Sequence, residues 1–210
     1  MIGYINSNGV DTVAVRHNLL SKRKIKYRFD SLDNKIMTHI YCTKKMESFL
    51  GTVEPVSIDM ETTNLGNWNG HLFTIDRRKN LIFTNDKTAY SFVLLDVVKK
   101  DVKDFGTVFR ESLLRQLDND LKINEQQEIK LRRELRDIRI HSTNNNKKII
   151  GTINECVYTI KTHAYLQGGL NQLTSIKIGQ NLNDNILRTK LALNDKQYFH
   201  PKDLMKSLLT

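Results

Sequence analysis

The chain has 210 residues, of which 39% are hydrophobic and 27% charged, and its formal net charge is +10 at pH 7. This composition supplies a buried core and excludes wholesale disorder. Its apolar runs are too short for a transmembrane helix of about 20 residues, and no basic segment followed by an apolar one marks a secretory signal. We therefore expect a cytoplasmic protein without a membrane span.

The first 36 residues differ from the rest of the chain. Two short alternating runs, 12–16 and 24–29, are typical of exposed strands, and a basic turn joins them. Seven basic and three acidic side chains give this segment a charge of 7 − 3 = +4. We expect residues 1–36 to form a basic N-terminal arm or hairpin, and residues 37–210 to form a single domain.

The domain begins with a strand, a helix and a meander. Residues 39–43 read as a strand, and Lys44–Leu50 as a short helix that Gly51 ends. Three strands follow at 71–76, 81–85 and 89–97, and the basic segment Arg77–Asn80 is the predicted turn between the first two.

Helical periodicity dominates the second half. Asp101 is the predicted start of a helix with an apolar stripe at Phe105, Phe109, Leu113 and Leu117. Its outer face pairs Glu111 with Arg115, and a helix over 123–137 pairs Glu128 with Arg132 and Arg133 with Asp137. After a short strand at 138–142, the longest helix runs from Lys147 to Gly168, with a buried face of Ile149, Ile153, Cys156, Val157, Ile160 and Ala164. A last helix follows Pro201.

Together these elements predict an α+β fold. We expect an antiparallel sheet of about four to five strands packed by about three helices. The two cysteines, Cys42 and Cys156, are far apart and form no C-x-x-C pair, which predicts buried, reduced thiols rather than a disulfide framework or a structural metal site. No cofactor is expected.

The string Val56–Thr63 contains an Asp-x-Glu pair, Asp59 and Glu61, and resembles the first motif of the DnaQ-type 3′–5′ exonucleases. In that family the pair binds two divalent metals, which clamp the attacking and leaving oxygens. The family's later carboxylate motifs have no match here, because Asp76 is followed by basic residues and His200 with Asp203 has the wrong spacing. We therefore expect no metal site, and a metal-dependent hydrolase remains an alternative.

A more extensive resemblance rests on four short segments in a fixed order: Thr43-Lys44-Lys45, Leu65-Gly66-Asn67-Trp68, Asn85-Asp86-Lys87-Thr88 and Gly151-Thr152-Ile153-Asn154. Over roughly Thr38–Leu170 they resemble an uncharacterised bacterial domain family of unknown function. Asn67 stands where the family has Asp, and Ile153 where it has Met. The resemblance implies a plasmid, insertion-element or phage-defence setting and supplies no mechanism.

The positive charge favours a polyanionic partner, chiefly nucleic acid, since basic side chains release counterions from phosphates. The candidate contacts are of two kinds, basic and aromatic: Arg77, Arg78, Lys79, Lys148 and Lys161, and Trp68, Tyr158 and Tyr165. Each also has a structural interpretation, as a solvated turn, a helix start or a cover of the core.

Two other functions remain open. His141, near the start of the longest helix together with Lys148, is a weak candidate for the base of a metal-free ribonuclease. The Tyr158 and Tyr165 face is the predicted contact of a protein adaptor or toxin-neutralising partner. The function we expect is association with nucleic acid without catalysis, with no membrane involved.

Overall fold

A computed structural model describes residues 37–51, 53–56, 62–185 and 198–210. All of these belong to one compact unit, which spans Asp33–Thr210. The predicted arm, residues 1–36, and the pair Asp59 and Glu61 lie outside the described residues. Among the helices within the described ranges, none combines the length and the apolar character needed to cross a membrane.

The strands form one five-stranded sheet in the order β4-β3-β2-β1-β5. Their bounds are Thr38–Cys42 (β1), Trp68–Ile75 (β2), Arg78–Asn85 (β3), Ser91–Leu94 (β4) and Ile138–His141 (β5). The meander β2-β3-β4 is antiparallel, as predicted, but β1 lies between β2 and β5 and runs parallel to both. The α+β class is confirmed, and the sheet is mixed rather than antiparallel. Both neighbours of β1 are reached by long connections, which allow parallel pairing.

Six α-helices lie within the described ranges, against about three expected from the sequence. They are Lys44–Leu50 (α1), Phe105–Leu121 (α2), Glu125–Glu134 (α3), Lys147–Leu166 (α4), Ser175–Asp184 (α5) and Pro201–Leu209 (α6). The bounds of α1 are as predicted, and Gly51 ends it with a φ of 96° that favours glycine. The predicted start and end of α4 are likewise confirmed.

The start of α2 differs from the prediction. Asp104, rather than Asp101, is its N-cap, and the Asp104 side chain accepts a hydrogen bond from the Thr107 backbone N–H. Asp101 belongs to the short 3₁₀ turn Lys99–Val102, where its carboxylate accepts from the Val98 N–H. Two aspartates three residues apart offer two similar caps, and the sequence pattern alone does not choose between them.

The hairpin between β2 and β3 is tighter than predicted. Its turn consists of Asp76 and Arg77 alone, with φ angles of 49° and 61°, as in a two-residue type I′ turn. Arg78 and Lys79 therefore belong to β3, where successive side chains point to opposite faces of the sheet. The basic triplet is divided between two surfaces.

Two of the three predicted ion pairs form with other partners. Arg132 does bind Glu128, with 2.9 Å between Nε and Oε1, but it also binds Glu111, so α2 and α3 are joined. Asp137 pairs with Arg136 rather than Arg133. The helical i,i+4 rule finds pairs within a helix and misses pairs between helices.

The sheet separates two hydrophobic clusters. On one face, α1, α2, α3 and α6 cover a cluster that includes the predicted stripe Phe105, Phe109, Leu113 and Leu117. On the other face, α4 and α5 cover a cluster built from the predicted buried side of α4, together with Phe73, Ile75, Ile82 and Val93. The first cluster is almost entirely apolar, whereas the second is bordered by polar strand residues, which form the candidate site.

Candidate functional site

Five polar or aromatic side chains lie side by side across the sheet. Direct strand partners follow the order His141, Tyr41, Asn69, Thr84 and Ser91, one from each strand. Their strand neighbours Ile40, Phe83 and Phe92 belong to the cluster on the opposite face. Because side chains alternate along a strand, this polar row points to the face that α4 covers. All five of its residues are buried.

At the β5 end of the row, His141 is held by two partners. Its Nδ1 lies 3.3 Å from the carbonyl oxygen of Pro55, and its Nε2 lies 2.9 Å from Nδ1 of His39. A carbonyl oxygen only accepts, so Nδ1 of His141 carries a proton and donates to Pro55. The two contacts orient the His141 ring and join β5 to β1 through side chains.

At the β4 end, every polar group of the row has a partner. Ser91 and Thr84 bond through their hydroxyl oxygens at 2.8 Å. Asn183 of α5 accepts from the Ser91 backbone N–H and donates to its carbonyl oxygen. Asn183 also donates to Asp120 of α2, so one asparagine joins the sheet to two helices.

The middle of the row is different. Asn69 is only 4% exposed, and its Nδ2 donor has no hydrogen-bond partner. Leaving a buried donor unpaired costs about 1–3 kcal/mol. Its neighbour Tyr41 has its ring centroid 5.6 Å from that of His141, tilted by 37°. Between two satisfied ends, the row therefore has an unsatisfied amide beside a phenol.

Two residues along β2 from Asn69, the same face of the sheet becomes basic and partly exposed. His71 of β2 bonds through Nδ1 to the Thr43 hydroxyl, 3.0 Å away. Burial lowers the pKa of His71, and the charges of Lys45 on α1 and Lys161 on α4 lower it further. Two lysines from different helices thus act on one imidazole. We call Lys45, His71 and Lys161 the basic rim.

Lys161 also belongs to the solvent-facing side of α4. Tyr158 and Tyr165, at three residues before and four after it, are 74% and 86% exposed. This spacing places all three on one helix face, with Lys147 and Asn154 further along it. We call these five residues the α4 stripe. The predicted contacts Lys161, Tyr158 and Tyr165 are therefore adjacent, whereas Lys148 is exposed on a different flank of the helix.

Trp68 does not belong to this surface. Its side chain is fully buried and stacks edge-on against Phe92 and Phe109, with ring centroids 5.7 and 5.5 Å apart. A ring buried in the core presents no face to a base, so the interpretation of Trp68 as a stacking platform is wrong. The Asn- and Gly-rich segment around it predicts a loop, but Trp68 is the first residue of β2.

The basic triplet at the hairpin is also not a single patch. Arg78 donates to Oδ1 of Asn171 at 2.8 Å and lies 3.8 and 3.9 Å from the carboxylates of Asp76 and Asp96. Lys79 points to the other face, with Nζ 4.8 Å from the centre of the Phe49 ring. Of the three, Arg77 lies in the exposed turn, where its predicted phosphate contact stays a prediction.

The predicted catalytic candidates do not come together. His141 is buried and directed to His39 and Pro55, while Lys148 is exposed on α4. Asp59 and Glu61 lie outside the described residues. Within the part of the chain that the structure describes, no three His, Cys, Asp or Glu side chains are grouped so as to hold a metal ion.

Two of the four segments that carry the family resemblance, Leu65–Trp68 and Asn85–Thr88, meet at one junction. The Asn67 backbone N–H donates to Oδ1 of Asp86, and the Asp86 N–H donates back to the Asn67 carbonyl oxygen. Asn85 donates from Nδ2 to the Leu65 carbonyl oxygen, 2.8 Å away. Two segments separated along the chain thus build the edge of the polar face.

A family model described as a domain of unknown function (DUF6933) matches residues 39–204. The chain belongs to this family. The match begins in β1 and ends in α6, so it covers all but the first residue of the sheet and most of both hydrophobic clusters. The predicted membership in an uncharacterised domain family is confirmed. No curated protein and no solved structure matches the chain.

Sequence reasoning missed most of the polar face. The sequence pattern predicts Tyr41 and His71 as ordinary strand residues and Asn69 as a loop residue, and it does not connect His39 with His141. The available signal is the alternation of polar side chains at residues 39 and 41 of β1 and at residues 69 and 71 of β2. Their meeting depends on the parallel pairing of β1, which the sequence pattern did not reveal.

Proposed function

We propose that the protein binds single-stranded nucleic acid along the α4 stripe without cutting it. The observation that carries the proposal is the pair of highly exposed tyrosines, Tyr158 and Tyr165, on either side of Lys161. Bases stack on exposed aromatic rings whatever their sequence, and lysines between the rings contact the phosphates. Seven residues of helix separate the tyrosines by about 10 Å, a span that several nucleotides cross.

The charge of α4 supports this function. The helix carries Lys147, Lys148 and Lys161 against the single acidic residue Glu155. Neither Lys147 nor Lys161 forms an ion pair with any described residue. Lys45 of α1 adds a further charge, since Lys45 and Lys161 both lower the pKa of His71. These unpaired cations are available to displace counterions from a phosphate backbone.

Two features remain predictions. A plasmid, insertion-element or phage-defence setting rests on the sequence resemblance, and the expectation that the protein is cytoplasmic rests on its short apolar runs and on the N-terminal sequence pattern. The hydrolase alternative through Asp59 and Glu61 falls on residues outside those described. Incubating the protein with labelled RNA and DNA, with and without Mg²⁺, tests it: we expect uncut strands.

A protein partner is the second candidate, because Leu166 beside Tyr165 is 72% exposed. Exposed apolar and aromatic side chains also form the centres of protein interfaces. The two functions differ in what the tyrosines must supply. Stacking needs an aromatic ring, so phenylalanine should substitute for tyrosine without loss of strand binding, and Leu166 should not affect that binding.

The test is fluorescence anisotropy with labelled single strands and matched duplexes at about 25 to 200 mM salt. We expect Tyr158→Ala and Tyr165→Ala each to weaken single-strand binding by about tenfold, since stacking is worth about 1–3 kcal/mol per base. Tyr158→Phe and Tyr165→Phe should bind like the wild type. Lys161→Gln should weaken binding and reduce the salt slope by about 0.7.

The matched control for Lys161 is Lys130→Gln, an exposed lysine of α3, which packs on the opposite face of the sheet. It should change neither affinity nor slope. The proposal is wrong if no strand binds at low salt, or if the two lysine variants behave alike. Loss of a captured protein partner in Leu166→Ala, with oligonucleotide binding absent, would favour the adaptor.

A further inference from the structure

We propose that the polar row and the basic rim together form a binding site for one adenine nucleotide, with the base at Asn69 and Tyr41 and the phosphate at Lys45, His71 and Lys161. This rests on the proposed function, because the nucleotide is either a free nucleoside phosphate or one residue of a bound strand. The chemistry of recognition is the same for both.

The first argument is the unpaired amide. Asn69 is only 4% exposed, and its Nδ2 donates to no residue of the part of the chain that the structure describes. Polar residues flank it, because Tyr41 and Thr84 are its direct strand partners. Thr84 is already bonded to Ser91. A ligand that accepts from Nδ2 would remove the cost of burying this donor.

The second argument is the shape of the missing partner. An asparagine amide offers one donor and one acceptor in a plane, which match N7 and N6 of adenine in a bidentate contact. Tyr41 beside it adds a ring and a hydroxyl, which suit a planar heterocycle with polar edges. Guanine presents two acceptors at the same edge and would leave the amide oxygen facing an acceptor.

The third argument is the position of the positive charge. Asn69 and His71 lie on the same face of β2, so their Cα atoms are about 7 Å apart. This separation resembles that between the base and the phosphate within one nucleotide. Thr43 contacts His71, the charges of Lys45 and Lys161 act on its ring, and this end of the site is partly exposed. The base therefore enters the buried end and the phosphate stays at the open rim.

The test is calorimetric titration and thermal unfolding of the full chain with AMP, adenosine, GMP and inorganic phosphate. We expect AMP to bind and to raise the Tm, since a ligand that binds only the folded state stabilises it. GMP should bind at least about tenfold more weakly, because one bidentate pair discriminates by about 1–3 kcal/mol. Lys161→Gln should weaken AMP and phosphate binding and leave adenosine binding unchanged.

Asn69→Leu is the decisive variant. It should abolish the Tm rise with AMP yet unfold at the same temperature as the wild type or higher, because it removes an unpaired buried amide. Should this variant fail to fold, Asn69→Ser and the AMP-to-GMP ratio give the same test. If AMP leaves the wild-type Tm unchanged, or if Asn69→Leu still binds AMP, the proposal is wrong.

Oligonucleotides separate this site from the α4 stripe. Strands that end in adenosine or in uridine should differ in affinity for the wild type and not for Asn69→Leu, if the strand supplies the nucleotide. AMP binding with no strand preference assigns the site to a free nucleotide. Strand binding that depends on Tyr158 and Tyr165, with no AMP binding, overturns the nucleotide site and leaves the proposed function intact. AMP binding with no strand binding overturns the proposed function and leaves the nucleotide site intact.

Discussion

Nδ1 of His39 lies 2.9 Å from Nε2 of His141, although 102 positions separate the two residues along the chain. Their rings are also in contact, with centroids 5.0 Å apart. The pair connects β1 to β5 through side chains, in addition to the backbone hydrogen bonds between the two strands, and both side chains are buried. The contact between the two rings holds β5 to β1 by a side chain as well as by the backbone.

A double-mutant cycle tests this connection. We expect His39→Leu and His141→Leu each to lower the free energy of unfolding by about 1–3 kcal/mol, because each leaves the other ring without its partner. The double variant should lose clearly less than the sum, since no polar group is then orphaned at this contact. Urea denaturation of the four proteins measures the coupling. Strictly additive losses would show that the two rings do not depend on each other.

A second prediction concerns Arg78, which the sequence predicts, like Arg77, to be a solvated phosphate contact. Arg78→Gln should lower the free energy of unfolding by about 1 kcal/mol, because it removes the hydrogen bond to Asn171 and two partly exposed ion pairs. Arg77→Gln is the matched control in the adjacent turn and should stay within about 0.5 kcal/mol of the wild type. Equal losses in the two variants would contradict the structural role of Arg78.

The local features of this fold could be predicted from the sequence. Signals that lie close together in the sequence predict three of these features. A glycine gives the end of α1, and helical periodicity gives the buried side of α4 and the apolar stripe of α2. The meander was also predictable, because its strands are neighbours in sequence. The fine position of the hairpin turn was not, since two residues in the left-handed region at Asp76 and Arg77 carry no glycine signal.

The candidate site depends on contacts that no local pattern encodes. His39, Asn69 and His141 come from three strands whose order is set by packing of distant helices on both faces of the sheet. The sequence also does not predict which aromatic side chains are exposed. Trp68 and Tyr158 are both aromatic residues among polar neighbours, yet Trp68 is fully buried and Tyr158 is 74% exposed. Only the α4 stripe, which is local to one helix, could be assembled from sequence.

A third prediction concerns Asn85, which is fully buried between β3 and the turn that follows. Its Oδ1 accepts from the backbone N–H groups of Lys87 and Thr88 and from the Thr88 hydroxyl, and its Nδ2 donates to Leu65. Asn85→Ala should therefore lower the free energy of unfolding by about 3 kcal/mol. The control Asn154→Ala, on the exposed stripe, should have no such effect. Equal unfolding free energies for the two variants would rule out this role.

A fourth prediction concerns the two thiols. Burial raises the pKa of Cys42 to about 12 and that of Cys156 to about 12. Since the thiolate is the reactive form, neither should react with a disulfide reagent in the native protein at about pH 8. Both should react at once after denaturation. Rapid labelling of one thiol in the native state would show that its surroundings open.

The last prediction concerns pH and His71. Because burial and the charges of Lys45 and Lys161 lower its pKa in the folded state, the unfolded chain binds the proton more readily. The contribution of His71 to stability is therefore fully present above its unfolded pKa of about 6.5 and is lost as the pH falls through the folded value. The wild type should lose stability between about pH 7.5 and about pH 5 more steeply than His71→Asn, whose amide can still bond to Thr43.

The comparison is made as a difference between two proteins, so that the other histidines contribute equally to both urea-unfolding series. Lys161→Gln supplies the matched test of the cause. Removing that charge should bring the pKa of His71 closer to its ordinary value and make the stability curve shallower than that of the wild type, because a smaller shift gives a smaller slope. Parallel curves for the wild type, His71→Asn and Lys161→Gln would mean that His71 titrates alike in the folded and unfolded chains, and that Lys161 does not act on it.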